Sequence, residues 1–185
     1  TPVSEEQIIF AMNAVEKYYD INVFAGELDT NASRVGKEIY ATEEIPFVGK
    51  KVFLAGPTPR SKDVPSWRPD MIKKLRDMNF KGHILIPEKR NIEDGYDYDS
   101  QIEWEDKGLN MADIILFWVP RDLDTMPGFT TNIEFGEHMK SGKVILGFPY
   151  TAEKMRYMVE KSKKYKIPVV NSMGAAVDEL KNRVK

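Results

Sequence analysis

The 185-residue chain contains no cysteine. That excludes disulfides, thiolate metal sites and cysteine nucleophiles together. Only two histidines occur, His83 and His138, far apart in sequence. They form no metal-ligand spacing, and both read as structural. No apolar run approaches the roughly 20 residues of a membrane-spanning helix. Neither charge is in surplus: 27 Lys and Arg against 29 Asp and Glu give a net charge of −2. A basic field for nucleic acid or an anionic surface is therefore absent. There is no G-x-G-x-x-G and no Walker A loop, so nothing cradles a dinucleotide or triphosphate. The reading expects no cofactor, no metal, no nucleic acid and no membrane. The opening TPVSEEQIIF lacks the basic start of a signal peptide. With the missing cysteines, this sets a cytoplasmic expectation.

What is present is ordinary for one globular domain: 42% hydrophobic and 30% charged residues. Residues 4–19, SEEQIIFAMNAVEKYY, read as a helix. Ser4 and Gln7 make a capping box, and Ile8, Met12, Val15 and Tyr19 repeat at helical spacing. VFAG and EIYAT look strand-like, with a DTNAS turn between them. Residues 1–49 are assigned to an N-terminal extension and residues 50–185 to an α/β domain.

From residue 50 strands and helices alternate. KKVFLAGP, HILIPE, DIILFWVP, KVILGFP and IPVVNS are the strands. They are short and rich in β-branched residues without alternation, as in strands buried on both faces. Helices are expected from near Arg68–Pro69, over QIEWEDKGLNMA, over TTNIEFGEHMKSG stopped by Gly142, after an N-cap at Thr151, and over AAVDELKNRV. This predicts a five-stranded parallel sheet in a flavodoxin-like or Rossmann-like three-layer sandwich of order 2-1-3-4-5. Ligands then bind at the carboxyl ends of the strands, near the switch point.

Two loops reach that edge. AGPTPRS follows the first strand; its Gly56–Pro57 turn offers backbone N–H groups, and Arg60 and Ser61 can hold an anion. A plain βα turn with a surface arginine is the equal alternative. VPRDLDTMPGFTT follows the third strand and leads to Glu134. Glu134 falls in the first turns of the next helix, where the dipole lowers its pKa and keeps it ionised, as a nucleophile or base requires. Simple complementing of the dipole is the competing reading. Glu105 shares its helix with Glu103 and Asp106, where a solvated acidic face is the plainer reading. Trp104, Trp67 and Trp118 read first as core, although a Trp at the crevice can stack on a planar base.

In order, the segments AGPTPR, WEDKGLNMAD, WVPRD, TTNIEFG and SGKVILG resemble the nucleoside 2-deoxyribosyltransferase family, in its transferase-like branch. The resemblance covers about residues 50–172. It implies an enzyme that cleaves or exchanges the N-glycosidic bond of 2-deoxynucleosides or their monophosphates, by transfer or hydrolysis. It implies Glu134 as nucleophile, Glu105 as the acidic group that binds or protonates the base, and Asp124 as a further contact. It also implies a substrate-binding set of Phe53, Gly56, Pro57, Arg60, Ser61, Trp118, Arg121 and Thr131, and a homo-oligomer. The sequence departs from the family pattern at three points. Glu105 stands for the usual Asp, Phe53 for the usual Tyr, and four extra residues lengthen the loop between Asp124 and Glu134. The T-x-x-E arrangement also looks like phosphoribohydrolases of the cytokinin-activating type, whose Pro-Gly-Gly loop is half matched. A non-catalytic nucleotide-sensing module is the alternative from another class.

Overall fold

The computed structural model describes residues 36–90 and 97–184. The chain divides into units Thr1–Ser33 and Arg34–Lys185, and the described residues all belong to the second. The helix expected over residues 4–19, the VFAG strand and part of the 89–100 loop lie outside the described residues.

Among the described residues there are six strands and five helices, alternating from β2 onward: β1 (Glu38–Tyr40), β2 (Lys51–Ala55), α1 (Arg68–Asp77), β3 (His83–Ile86), α2 (Tyr98–Met111), β4 (Ile114–Trp118), α3 (Phe129–His138), β5 (Val144–Gly147), α4 (Arg156–Tyr165), β6 (Val169–Val170) and α5 (Met173–Arg183). The apolar runs without alternation become the centre of the sheet. Every residue of β2, β4 and β5 is buried, because helices cover both faces. The order is β1-β3-β2-β4-β5-β6, with every pairing parallel. The expected order 2-1-3-4-5 is therefore present as β3-β2-β4-β5-β6. The strand count is corrected from five to six. The additional strand, β1, lies within the segment read as an extension and pairs with β3 through Ile39 opposite Leu85.

Successive side chains of a strand point to opposite faces, and this splits the core in two. Phe53, Leu85, Ile115, Phe117 and Leu146 pack with Trp104 and Leu109 of α2, Phe135 of α3 and Met158 of α4. Val52, Leu54, Ile84, Leu116 and Ile145 pack with Met71 and Leu75 of α1 and Val177 and Leu180 of α5. Phe117 and Phe135 meet edge to face at 5.4 Å, which seats α3 on β4.

Two helix boundaries differ from the sequence reading. Helix α4 starts at Arg156, not after Thr151. Turns occupy Pro149–Lys154, with Lys154 at φ 53° and the Glu153 N–H donating to the Arg121 carbonyl at 3.0 Å. Helix α3 ends at His138 with Met139 as C-cap, so Gly142 at φ 76° turns the chain into β5 and does not stop the helix itself.

Two glycines give opposed expectations. A Cβ on Gly56, at φ 146°, would run into the Trp118 carbonyl oxygen. On Gly136, exposed within α3, a Cβ meets nothing within 4 Å. Gly136→Ala should therefore stabilise the protein by about 0.5–1 kcal/mol, as helix propensity dictates. Gly56→Ala should destabilise it. Urea unfolding of both variants checks the pair, and equal effects would contradict the packing described.

Candidate active site

The carboxyl ends of β2 and β4 carry the two long loops, and these are joined to each other. The Arg60 N–H donates to the Thr125 carbonyl at 3.0 Å. The second loop is shaped by Asp122, whose Oδ1 accepts from Asp124 N, Thr125 N and Thr125 Oγ1 at 3.0, 2.8 and 2.9 Å. Such an Asx turn needs a short side chain that can reach its own backbone. Gly128 then caps α3 in the left-handed region at φ 63°. A side chain on it would crowd Pro57 and Thr131.

Beneath these loops lies Arg68, which sequence reading took only as a helix start. It is 1% exposed. Its Nε donates to the Leu54 carbonyl at 3.2 Å and Nη2 to the Gly56 carbonyl at 2.7 Å. Its Nη1 donates to Thr58 Oγ1 at 3.1 Å and to Glu88 Oε1 at 2.6 Å. The guanidinium also lies 4.7 Å from the Trp67 ring. A signal for this burial existed: Arg68 stands in helical register with the buried Met71 and Leu75.

Glu134 and Glu105 converge on the same region from α3 and α2. Both are half-buried. Desolvation, followed by repulsion from Glu105, pushes the Glu134 carboxyl up to about 7; Arg68 pulls it down, while Glu137 and Asp106 push it further. This corrects the expectation of a lowered value. Glu134 is the sixth residue of α3, beyond the first turn where the dipole acts, and burial beside another carboxylate dominates. Desolvation also raises Glu105, opposed by the hydrogen bond that Gln101 Nε2 donates to its Oε1 at 2.8 Å and by the charge of Arg68. Gln101 is thus a further site neighbour that the sequence reading did not single out. Burial and the charge of Glu105 thus both favour the protonated form of Glu134.

The other predicted residues divide by placement. Arg60 and Ser61 are exposed, and the Arg60 guanidinium lies 5.5 Å from the Phe129 ring. Asp124 is exposed in its loop. Gly56 and Pro57 form the turn above Arg68, and the Pro57 carbonyl accepts from Trp67 Nε1 at 2.9 Å. Phe53, Trp118 and Thr131 are almost wholly buried. Phe53 packs on Trp104 at 6.0 Å, and Trp118 lies against Gly147. Arg121 is also buried, with Nη2 donating to Asn132 Oδ1 at 2.6 Å, Nη1 to the Lys154 carbonyl at 3.4 Å, and Nε without a partner. It ties α3 to the turn before α4. Among the described residues, no group of three or more His, Asp or Glu side chains is arranged to hold a metal ion, and no helix is long and apolar enough to cross a membrane.

The family described as nucleoside 2-deoxyribosyltransferase like matches residues 49–151. The chain belongs to this nucleoside 2-deoxyribosyltransferase-like family. The matched segment runs from just before β2 to just beyond β5 and holds Arg68, Glu105 and Glu134. Among solved structures, the chain is similar to a conserved protein from Enterococcus faecalis V583, with 15% identity and a TM-score of 0.54, over 74% of this chain and 99% of that one. That likeness is one of fold. No curated protein matches the sequence.

The raised Glu134 carboxyl makes this family member's stability depend on pH. A carboxyl whose value is higher in the folded state favours folding fully below its ordinary range. That contribution is lost as pH rises from about 4.5 towards 7. Glu134→Gln removes the titration. Its melting temperature should exceed that of the parent at pH 8 by up to about 7–14 °C, with the difference shrinking towards pH 5. Calorimetry across this range checks the trend, and a constant difference would contradict the burial of Glu134.

Proposed function

We propose that the protein cleaves or exchanges the N-glycosidic bond of a 2-deoxynucleoside or its monophosphate. The observation that carries this reading is the half-buried carboxyl pair Glu134 and Glu105, placed by α3 and α2 within the segment matched by the family. Deoxyribosyl–base cleavage passes through an oxocarbenium-like state. In its ionised form Glu134 attacks the anomeric carbon. The C–N bond breaks, its electron pair leaves with the base, and Glu105 supplies the proton that neutralises the base. Glu134 is then esterified to the sugar. Attack at the same carbon by water gives hydrolysis; attack by a second base gives transfer. Either frees the carboxylate, and Glu105 takes back a proton. The exposed Arg60 and Ser61 sit on the loop where a sugar 5′ end would lie. The absence of cysteine supports a cytoplasmic setting.

The same reading includes a homo-oligomer. Phe129 and Ile133, one turn apart on the helix that carries Glu134, are 68% and 64% exposed, and this apolar pair is the surface offered for the contact. Light scattering should give a multiple of the chain mass at micromolar concentration, and a monomer mass would reject this part.

For the chemistry, the protein is incubated with deoxynucleosides and deoxynucleotides, with and without an acceptor base, and products are followed by chromatography. Glu134→Gln should lower turnover by about 10³-fold or more while the fold persists. Glu105→Ala should slow substrates with poor leaving bases by about 10²-fold and leave an activated substrate nearly unaffected. Equal slowing of both substrates would remove the acid role from Glu105. Binding without turnover by the parent protein would favour a sensing module.

A further inference from the structure

We propose that Gln101 is a positioning residue whose side-chain amide fixes the carboxyl of Glu105, so that Oε2 is the oxygen that carries and releases the proton. The inference rests on the reading of Glu105 as the acid. The contact is direct: Gln101 Nε2 donates to Glu105 Oε1 at 2.8 Å. The two residues are four apart on α2, a spacing that sets side chains side by side on one helix face. The amide presents its nitrogen, since its oxygen would meet a carboxylate oxygen with no hydrogen between them. An oxygen that already accepts this N–H would set two hydrogens against each other if it also carried the acid proton. The proton therefore resides on Oε2.

The helix that presents the pair is held at three levels. At its start Asp97 caps the first turn through the Ser100 N–H, and the Gln101 N–H donates to the Asp97 carbonyl at 3.3 Å. Between Gln101 and Glu105, the buried Trp104 donates its Nε1–H to the Glu43 carbonyl at 2.7 Å and packs on Phe53. One turn later a Cβ on Gly108 would run into the Phe53 ring, so α2 lies close against β2. Gln101 and Glu105 border this buried stripe, and both are half-buried. Part of the segment that the sequence assigns to an extension, Glu43, thus holds the helix of the acid. The charged groups acting on Glu105 are Arg68 from α1, Asp106 from its own helix and Glu134 from α3. Among the described residues, only Gln101 makes a hydrogen bond to its side chain.

The first measurement uses the parent protein. The side-chain amide protons of Gln101, followed by nitrogen-15 NMR, should move as Glu105 ionises, and Glu105→Gln should abolish that transition. Amide signals that ignore the ionisation of Glu105 overturn the proposal. The second measurement uses Gln101→Met, which keeps the length and removes the donor. The carbon-13 midpoint of the Glu105 carboxyl should move to higher pH, because the donor favours the ionised form. For substrates with poor leaving bases kcat should fall about 3- to 10-fold, the worth of one hydrogen bond. KM and the rate of an activated substrate should stay nearly unchanged. Placed on Glu105→Ala, the same substitution should add no further loss, since its effect passes through Glu105. Full additivity, or a loss confined to KM, overturns the proposal, because Gln101 would then act on substrate directly. Absence of turnover defeats the acid reading alone, and the amide transition still decides whether Gln101 fixes Glu105.

Discussion

The guanidinium of Arg68 is the contact on which the site depends. Parallel strands leave carbonyls open at their carboxyl ends, and buried carbonyls require donors. At the end of β2 these are the carbonyls of Leu54, Gly56 and Pro57. Two adjacent residues at the head of α1 satisfy all three, Arg68 for the first two and Trp67 Nε1 for the third. Burying a guanidinium is costly unless it is paired and hydrogen-bonded. Glu88 and Thr58 complete the set. Removing one partner of such a buried pair costs about 3–5 kcal/mol in comparable cases, so the arrangement holds together or fails as a unit.

The rest of the upper edge follows from that seat. With β2 ended at a left-handed glycine, the AGPTPRS loop passes over Trp118 and meets the Gly128 turn. The Asx turn at Asp122 and the Arg60–Thr125 hydrogen bond then fix where α3 begins. Arg121 fixes its far side through Asn132. The lower edge is closed separately. Asp113 accepts from Lys50 Nζ and from the Lys51 N–H, while the buried Lys51 Nζ donates to the carbonyls of Phe47, Val48 and Gly49. The lower edge is thus closed by one ion pair and by lysine-to-carbonyl bonds, while at the upper edge Glu88 is paired with Arg68 and Glu134 and Glu105 have no ion-pair partner among the described residues.

Much of the fold was legible because its signal is local. β2, β4 and β5 are unbroken apolar runs, and runs of that kind with helices between them define a parallel sheet. β1 was read as strand-like in EIYAT but left in an extension outside the sheet, because three residues with one buried side chain do not show which strand they pair with. The start of α4 was misplaced because Thr151 looks like a cap, whereas tertiary hydrogen bonding to Arg121 holds that segment in turns. Glu134 and Glu105 were singled out, but the sign of the Glu134 shift was not legible. Position in a helix suggested the dipole, while the dominant effect is burial against a carboxyl on another helix, which sequence spacing cannot measure. Arg68 was overlooked because a charged residue at a helix start is ordinarily solvated. Its register with Met71 and Leu75 was the available clue.

The carboxyl pair is arranged so that its empty state and its working state differ in charge. Without substrate, Glu134 lies in a partly desolvated setting beside the charge of Glu105, and Arg68 opposes the resulting rise. Protonation of Glu134 relieves this. On the proposed reading, positive charge develops at the anomeric carbon as the glycosidic bond weakens. A cation beside Glu134 favours its ionised form, and the proton is then better placed on Glu105, where the leaving base can take it. On that reading, the repulsion that raises Glu134 in the empty site is reduced in the transition state, when Glu134 faces a cation and Glu105 is neutral. Stabilisation that grows along the reaction coordinate is what accelerates a bond cleavage.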